Sequence, residues 1–147
     1  MKLTALAISC GGTGGHFNPG LSIARALKAR GGKPVLILGG KHVVKQAETA
    51  AEYGIEAVRI EAVPLTKNPF RLPMFFKHLF AGAAQTKAAY RKYGCQALLC
   101  MGSFASFPPA LAARLNRFPL FLHDGNAKIG RANRMLSRWA KALALSF

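Results

Sequence analysis

The chain has 147 residues, 51% of them hydrophobic, enough to bury the core of one domain. Lysine and arginine number 21 against 5 acids, and the formal net charge of +16 predicts an anionic partner: nucleic acid, an acidic membrane surface or a phosphorylated substrate. Asp124 is the only aspartate and Glu48, Glu52, Glu56 and Glu61 stand apart from the glycine-rich segment, so a hydrolase built on paired carboxylates has little material to work with.

In chain order, strand-like runs at Leu3–Ile8, Val35–Leu38, Ala57–Ile60, Ala97–Met101, Leu120–Leu122 and Ala142–Leu145 alternate with helical patterns at Pro19–Arg30, His42–Tyr53, Phe70–Tyr93, Pro108–Asn116 and Ile129–Trp139. This alternation predicts an α/β fold, a Rossmann-like parallel sheet with helices on both faces, spanning residues 1–147 as a single domain. Ligands of such sheets gather at the carboxyl ends of the strands. The first glycine run, the segment Gly102-Ser103-Phe104-Ala105-Ser106 and the segment His123-Asp124-Gly125-Asn126 all follow strands, so they are expected to converge on one crevice. Val63 to Pro73, with three prolines, reads as the most mobile loop.

The first run, Gly11-Gly12-Thr13-Gly14-Gly15-His16, places four glycines in five residues between a strand and an amphipathic helix. Stripped of side chains, the backbone can approach a ligand closely, and free N–H groups at a helix start favour phosphate or another anion. It is not the dinucleotide fingerprint: from Gly12 the third glycine position is Phe17, and no acid follows the second strand, which runs into Gly39-Gly40-Lys41. No lysine follows the glycines as a P-loop requires. A tight turn without a ligand is the alternative. His16 adds a group that can carry a proton near neutral pH.

Between Asn68 and Phe80, large apolar side chains interleave with Arg71, Lys77 and His78. Wedging apolar groups into the lipid boundary while cations meet anionic headgroups is how a protein lies on a bilayer. Core packing of a long helix is the competing reading, and stacking on single-stranded RNA is disfavoured by the aliphatic share and the missing RNA motifs. The longest uncharged stretch, Cys95 to Ala113, is broken by Gly102 and Pro108-Pro109 and does not read as a membrane span. The N-terminal apolar run is at the short limit for a signal peptide, and Cys10, Cys95 and Cys100, odd in number and without metal-type spacing, suit a reducing compartment. A cytoplasmic protein that touches the membrane is expected.

Gly11 to His16 with Pro19 resembles the first glycine loop of the MurG family, peptidoglycan N-acetylglucosaminyltransferases of the GT-B fold. Met101 to Pro108 resembles that family's second glycine-rich loop, Leu122 to Ala127 its His-Glu-Gln-Asn motif, and Asn133-Arg134-Met135-Leu136 falls where the family continues. The resemblance implies the N-terminal half of a GT-B fold. The activity it implies is inverting transfer of GlcNAc from UDP-GlcNAc to the muramyl C4 hydroxyl of lipid I, the undecaprenyl-diphosphate-linked muramyl peptide, giving lipid II. No metal and no cofactor are expected, and no specific nucleic acid.

The resemblance makes His16 the catalytic base, with bracing of the loop as its other role. Thr13, Gly14, Gly15 and Asn126 would contact the donor sugar. Gly12, Gly14, Gly15, Gly102, Ser103, Phe104 and Ser106 would cradle the acceptor diphosphate. Phe70, Arg71, Met74, Phe75, Phe76, Lys77, Leu79 and Phe80 would associate with the cytoplasmic face of the inner membrane, peripherally. His123 is read as a loop brace, and for Asn126 an Asx turn competes with sugar recognition. Ser103 and Phe107 stand where the family usually has glycine, and Asp124-Gly125 where it has Glu-Gln, which puts acceptor identity in question. The expected partners are the two substrates, an anionic membrane surface and a C-terminal donor domain or subunit, without which the chain is expected to be inactive. A docking subunit of a split glycosyltransferase and a nucleotide-cofactor or RNA-binding module are the alternatives.

Overall fold

The computed structural model describes residues 4–146. Leu3, expected to open the first strand, lies outside them. Six strands, β1 (Ala5–Ser9), β2 (Lys33–Leu38), β3 (Glu56–Arg59), β4 (Ala97–Cys100), β5 (Leu120–Asp124) and β6 (Ala142–Leu145), form one sheet in the order β3-β2-β1-β4-β5-β6. Every neighbouring pair is parallel. The helices are α1 (Gly14–Ala29), α2 (Val43–Glu52), α3 (Leu72–Tyr93), α4 (Phe107–Leu115) and α5 (Arg131–Leu136).

Strand residues alternate between two cores, as the pleat requires. Leu6, Ile8, Leu36 and Leu38 pack with Phe17, Leu21 and Ala24 of α1 and Ala50 of α2. Ala7, Val35 and Ile37 face the opposite way, toward Ala83, Ala89 and Tyr90 of α3, Ala110 and Ala113 of α4 and Leu136 of α5. Both faces of the sheet are therefore covered, and its central strands read as continuous apolar runs. On the second face, Tyr90 stacks on Phe118 at 4.4 Å and donates from its hydroxyl to the Pro109 carbonyl at 3.1 Å.

Several boundaries differ from the sequence reading, three of them with a clear local cause. The first helix begins at Gly14 rather than Pro19, because Thr13 is extended and its carbonyl accepts from the N–H groups of His16 and Phe17. The second half of the proline-rich segment is ordered: the Asn68 side chain accepts from Phe70 N, a 3₁₀ turn covers Pro69–Arg71, and α3 starts at Leu72. The last helix is short, since Gly130 is extended and ties its N–H to Asp124 Oδ2. No described helix is long and apolar enough to cross a membrane.

Candidate functional site

The strand order reverses between β1 and β4, the point at which a doubly wound sheet opens a crevice. The first glycine loop leaves β1 and the second leaves β4, so the two lie side by side there. Thr13 takes the cap position of α1 but makes no side-chain cap bond. Its hydroxyl pairs instead with His16 Nδ1 at 3.0 Å. The N–H groups of Thr13, Gly14 and Gly15 consequently find no acceptor among the described residues, and Gly14 and Gly15 carry the positive end of a 16-residue helix. Across the crevice the N–H groups of Gly102, Ser103 and Phe104 are equally open among the described residues.

His16 stands between the loops. A methyl group built on Gly102 would come within 3.3 Å of His16 Nε2, and Gly102 itself has φ +102, so this close approach of ring to backbone requires glycine. Burial lowers the His16 pKa, with the charge of Asp124 opposing the shift. The imidazole is then neutral at neutral pH. In the tautomer whose Nδ1 donates to Thr13, Nε2 carries a free lone pair.

The third loop is organised by Asp124, 1% exposed at the end of β5. Its Oδ1 accepts from Asn126 N (2.9 Å) and Asn126 Nδ2 (3.0 Å), and its Oδ2 from Gly130 N (2.8 Å) and Asn133 Nδ2 (3.1 Å). Burial alone would raise its pKa, but these four bonds to the charged form outweigh it and the pKa falls below the ordinary value. The Asp-Gly pair thus builds an ordered turn.

The structure brings half of the ten expected substrate-site residues into one cleft, sets Gly12 and Thr13 on a neighbouring cavity, and leaves Gly14 on a separate pocket beside Asn18 and Gln46. One cleft of about 430 Å³ is lined by His16, Gly102, Ser103, Phe104 and Asn126, with Lys67 and Arg131 as its cations. Phe104 also borders a second cavity of about 640 Å³, which runs past Gly12 and Thr13 to Val63, Pro64 and His78. Those last three residues border a third, of about 660 Å³, which reaches Phe70 and Met74. The cavities beside the glycine loops and the apolar end of α3 thus adjoin through shared border residues.

Several assignments need correcting. Gly12 spends its N–H on the Gly39 carbonyl at 3.1 Å, and Ser106, fully buried, spends its hydroxyl on the Gly102 carbonyl at 2.7 Å and its N–H on Ser103. Neither has a donor left for a diphosphate. Asn126 forms no Asx turn of its own; it is the donor in the turn of Asp124, which leaves its Oδ1 for a ligand. Phe75 is turned inward at 9% exposure and cannot meet a membrane, whereas Phe70 (93%), Met74, Phe76 and Phe80 are exposed beside Arg71 and Lys77. Leu79 is half-buried. His123 pairs with the Ser146 hydroxyl at 3.2 Å, consistent with a brace.

The substituted positions of the second loop have a physical account. Ser103 adopts φ +73, a conformation that costs a non-glycine residue about 1–3 kcal/mol. Its hydroxyl offsets part of this by donating to Gly11 O at 3.1 Å and accepting from Ala105 N at 3.2 Å. Phe107 starts α4 and packs partly against the core while bordering the cleft. Two buried amides, Gln46 and Asn133, were given no structural role by the sequence reading. Each lies on the buried face of its helix, Gln46 four residues before Ala50 and Asn133 three before Leu136, and that spacing was the available signal.

Residues 6–145 match the glycosyltransferase family 28 N-terminal domain. The chain is 37% identical over 141 residues to the UDP-N-acetylglucosamine–N-acetylmuramyl-(pentapeptide) pyrophosphoryl-undecaprenol N-acetylglucosamine transferase of Thermus thermophilus, covering 96% of this chain and 41% of that protein. It is 35% identical over 144 residues to the enzyme of the same name from Neisseria meningitidis, covering 95% and 39%. It thus spans about two-fifths of the length of the curated relatives it matches. Among solved structures, Acinetobacter baumannii MurG superposes with a TM-score of 0.82 at 23% identity, over 98% of this chain and 41% of that one. The Neisseria meningitidis UDP-GlcNAc 2-epimerase bound to UDP-GlcNAc shares the fold at a TM-score of 0.64 and 12% identity, over 95% and 39%.

Proposed function

This chain belongs to the glycosyltransferase family 28 N-terminal domain family, and on that footing we propose that it forms the acceptor side of an inverting N-acetylglucosaminyltransferase that converts lipid I to lipid II. The observation that carries the reading is that the His16 imidazole, bonded to Thr13, lies against Gly102 in the cleft lined by the open second loop, with the open N–H groups of Thr13 to Gly15 at the start of its own helix. Two neighbouring amide clusters suit a diphosphate, and Lys67 and Arg131 add counter-charge without an acid that is free to repel it.

In the proposed reaction His16 Nε2 takes the proton of the acceptor C4 hydroxyl. The freed oxygen forms a bond to C1 of GlcNAc as the C1–phosphate bond breaks, and that electron pair leaves with UDP, inverting the anomeric centre. With Nδ1 donating to Thr13, Nε2 would be the accepting nitrogen. Asn126 Oδ1, on a loop pinned by Asp124, would accept from a donor-sugar hydroxyl. The diphosphate would lie between the glycine loops, and the adjoining cavities toward Phe70 and Met74 would give the attached lipid an apolar path.

A donor-binding domain, on the same polypeptide or a separate one, is part of this proposal, since the uridine needs a pocket of its own. The exposed face of Phe70, Met74, Phe76 and Phe80 with Arg71 and Lys77 supports peripheral docking on an anionic bilayer, at the cytoplasmic face where the two substrates meet. The test is GlcNAc transfer from UDP-GlcNAc to a lipid I analogue, by the chain alone and with a MurG-type C-terminal domain. Transfer only in the second case is expected. Transfer by the chain alone would remove the two-part reading, and none in either case would shift the proposal to a docking role or another acceptor.

A further inference from the structure

Both carbonyls at the tip of the first glycine loop are gripped by side chains from outside it. Ser103 Oγ holds Gly11 O at 3.1 Å, and Gln46 Nε2, reaching up from α2, holds Gly12 O at 3.0 Å. Gln46 is 5% exposed, and its other polar atom, Oε1, is buried with no partner. A buried oxygen without a hydrogen bond costs stability, and an apolar side chain of similar length would avoid that cost. Packing therefore does not account for an amide at this position, but the bond to Gly12 does.

That bond has a directional consequence. The peptides here are trans, so the N–H of Thr13 points opposite to the C=O of Gly12. Gly12, at φ +99, belongs to the residue type whose flanking peptide planes turn most readily. Were the Gly12–Thr13 plane to flip, a carbonyl oxygen would replace a donor in the crevice and repel an anion. We propose that Gln46 is a positioning residue of the anion cradle: by anchoring the Gly12 carbonyl it keeps the Thr13 N–H aimed at the ligand. The inference rests on the diphosphate reading of the crevice, and it predicts opposite signs for stability and binding.

The experiment uses the 147-residue chain labelled with ¹⁵N, with the variants Gln46→Met and Gln46→Glu. Thermal unfolding, the ¹H–¹⁵N resonance of the Thr13 amide, which shares its peptide plane with the Gly12 carbonyl, and titration with inorganic pyrophosphate are measured on each. Gln46→Met is expected to melt no lower than the parent, to shift the Thr13 amide resonance and to bind pyrophosphate at least about tenfold more weakly. Gln46→Glu, whose carboxylate faces a carbonyl, is expected to lose binding at least as far. An unmoved Thr13 amide resonance in Gln46→Met would overturn the proposal, as would weaker binding that merely tracks a lower melting temperature. Failure of the parent chain to bind pyrophosphate would count against the diphosphate reading alone, because the Thr13 amide resonance still decides the anchor.

Discussion

His16 draws its chemistry from two neighbours, Thr13 on one ring nitrogen and the bare Gly102 backbone beside the other. In the proposed two-part enzyme, completed with a MurG-type C-terminal domain, His16→Ala is expected to lower turnover by about two to four powers of ten with the chain still folded, read by steady-state kinetics beside a melting curve. The same residue gives the fold a pH dependence. Burial lowers its folded-state pKa below the unfolded value, so the stability linked to its neutral form is complete above the unfolded pKa and drains away as pH falls through the folded one. Melting temperatures taken from pH 7.5 down to pH 5 should therefore drop more in the parent than in His16→Gln. Parallel curves would show that His16 is not under this constraint. The glycine run and His16 were legible in the sequence because residue type alone signals close backbone approach and proton transfer. The pairing of Thr13 with the ring, the paired N–H of Gly12 and the inward hydroxyl of Ser106 were not, because each depends on which acceptor the folded chain brings near.

At the level of elements, α3 carries two different surfaces within one turn. Phe76 and Phe80 point outward while Phe75 packs inward, a distinction that a run of aromatic residues conceals until the helix is set against the sheet. Replacing Phe70, Met74, Phe76 and Phe80 by serine should weaken binding to anionic vesicles with little change in melting temperature. Phe75→Ser should do the reverse, costing about 3 kcal/mol of stability while leaving the outward face intact. Vesicle flotation and calorimetry on the two variants separate these roles, and equal destabilisation by both would make the whole segment core. Helix termini were the other weak point of the sequence reading. The start of α1 at Gly14 is set by the extended Thr13, and that of α5 by the bond from Gly130 to Asp124. Local propensity speaks against a helix at Gly14 and Gly15, where the bonds to the Thr13 carbonyl override it, whereas Gly130 stays extended and α5 begins only after it.

For the molecule as a whole, the proposed docking on an anionic bilayer would combine the +16 charge with the exposed apolar face of α3. Screening acts on the first and spares the second, so raising salt from about 0.05 M to about 0.5 M should weaken vesicle binding strongly without abolishing it. Complete loss would assign docking to charge alone. The parallel α/β class, the order of the elements and the three loops at the strand ends were determined by the sequence itself, because short continuous apolar runs alternating with runs of helical period admit few other folds. Which strand neighbours which, and hence that the glycine loops after β1 and β4 face each other across the switch point, was decided only by the tertiary structure. So were the buried amides of Gln46 and Asn133 and the inward turn of Phe75. Their positions depend on contacts between segments far apart in the chain, which no local pattern of residues encodes.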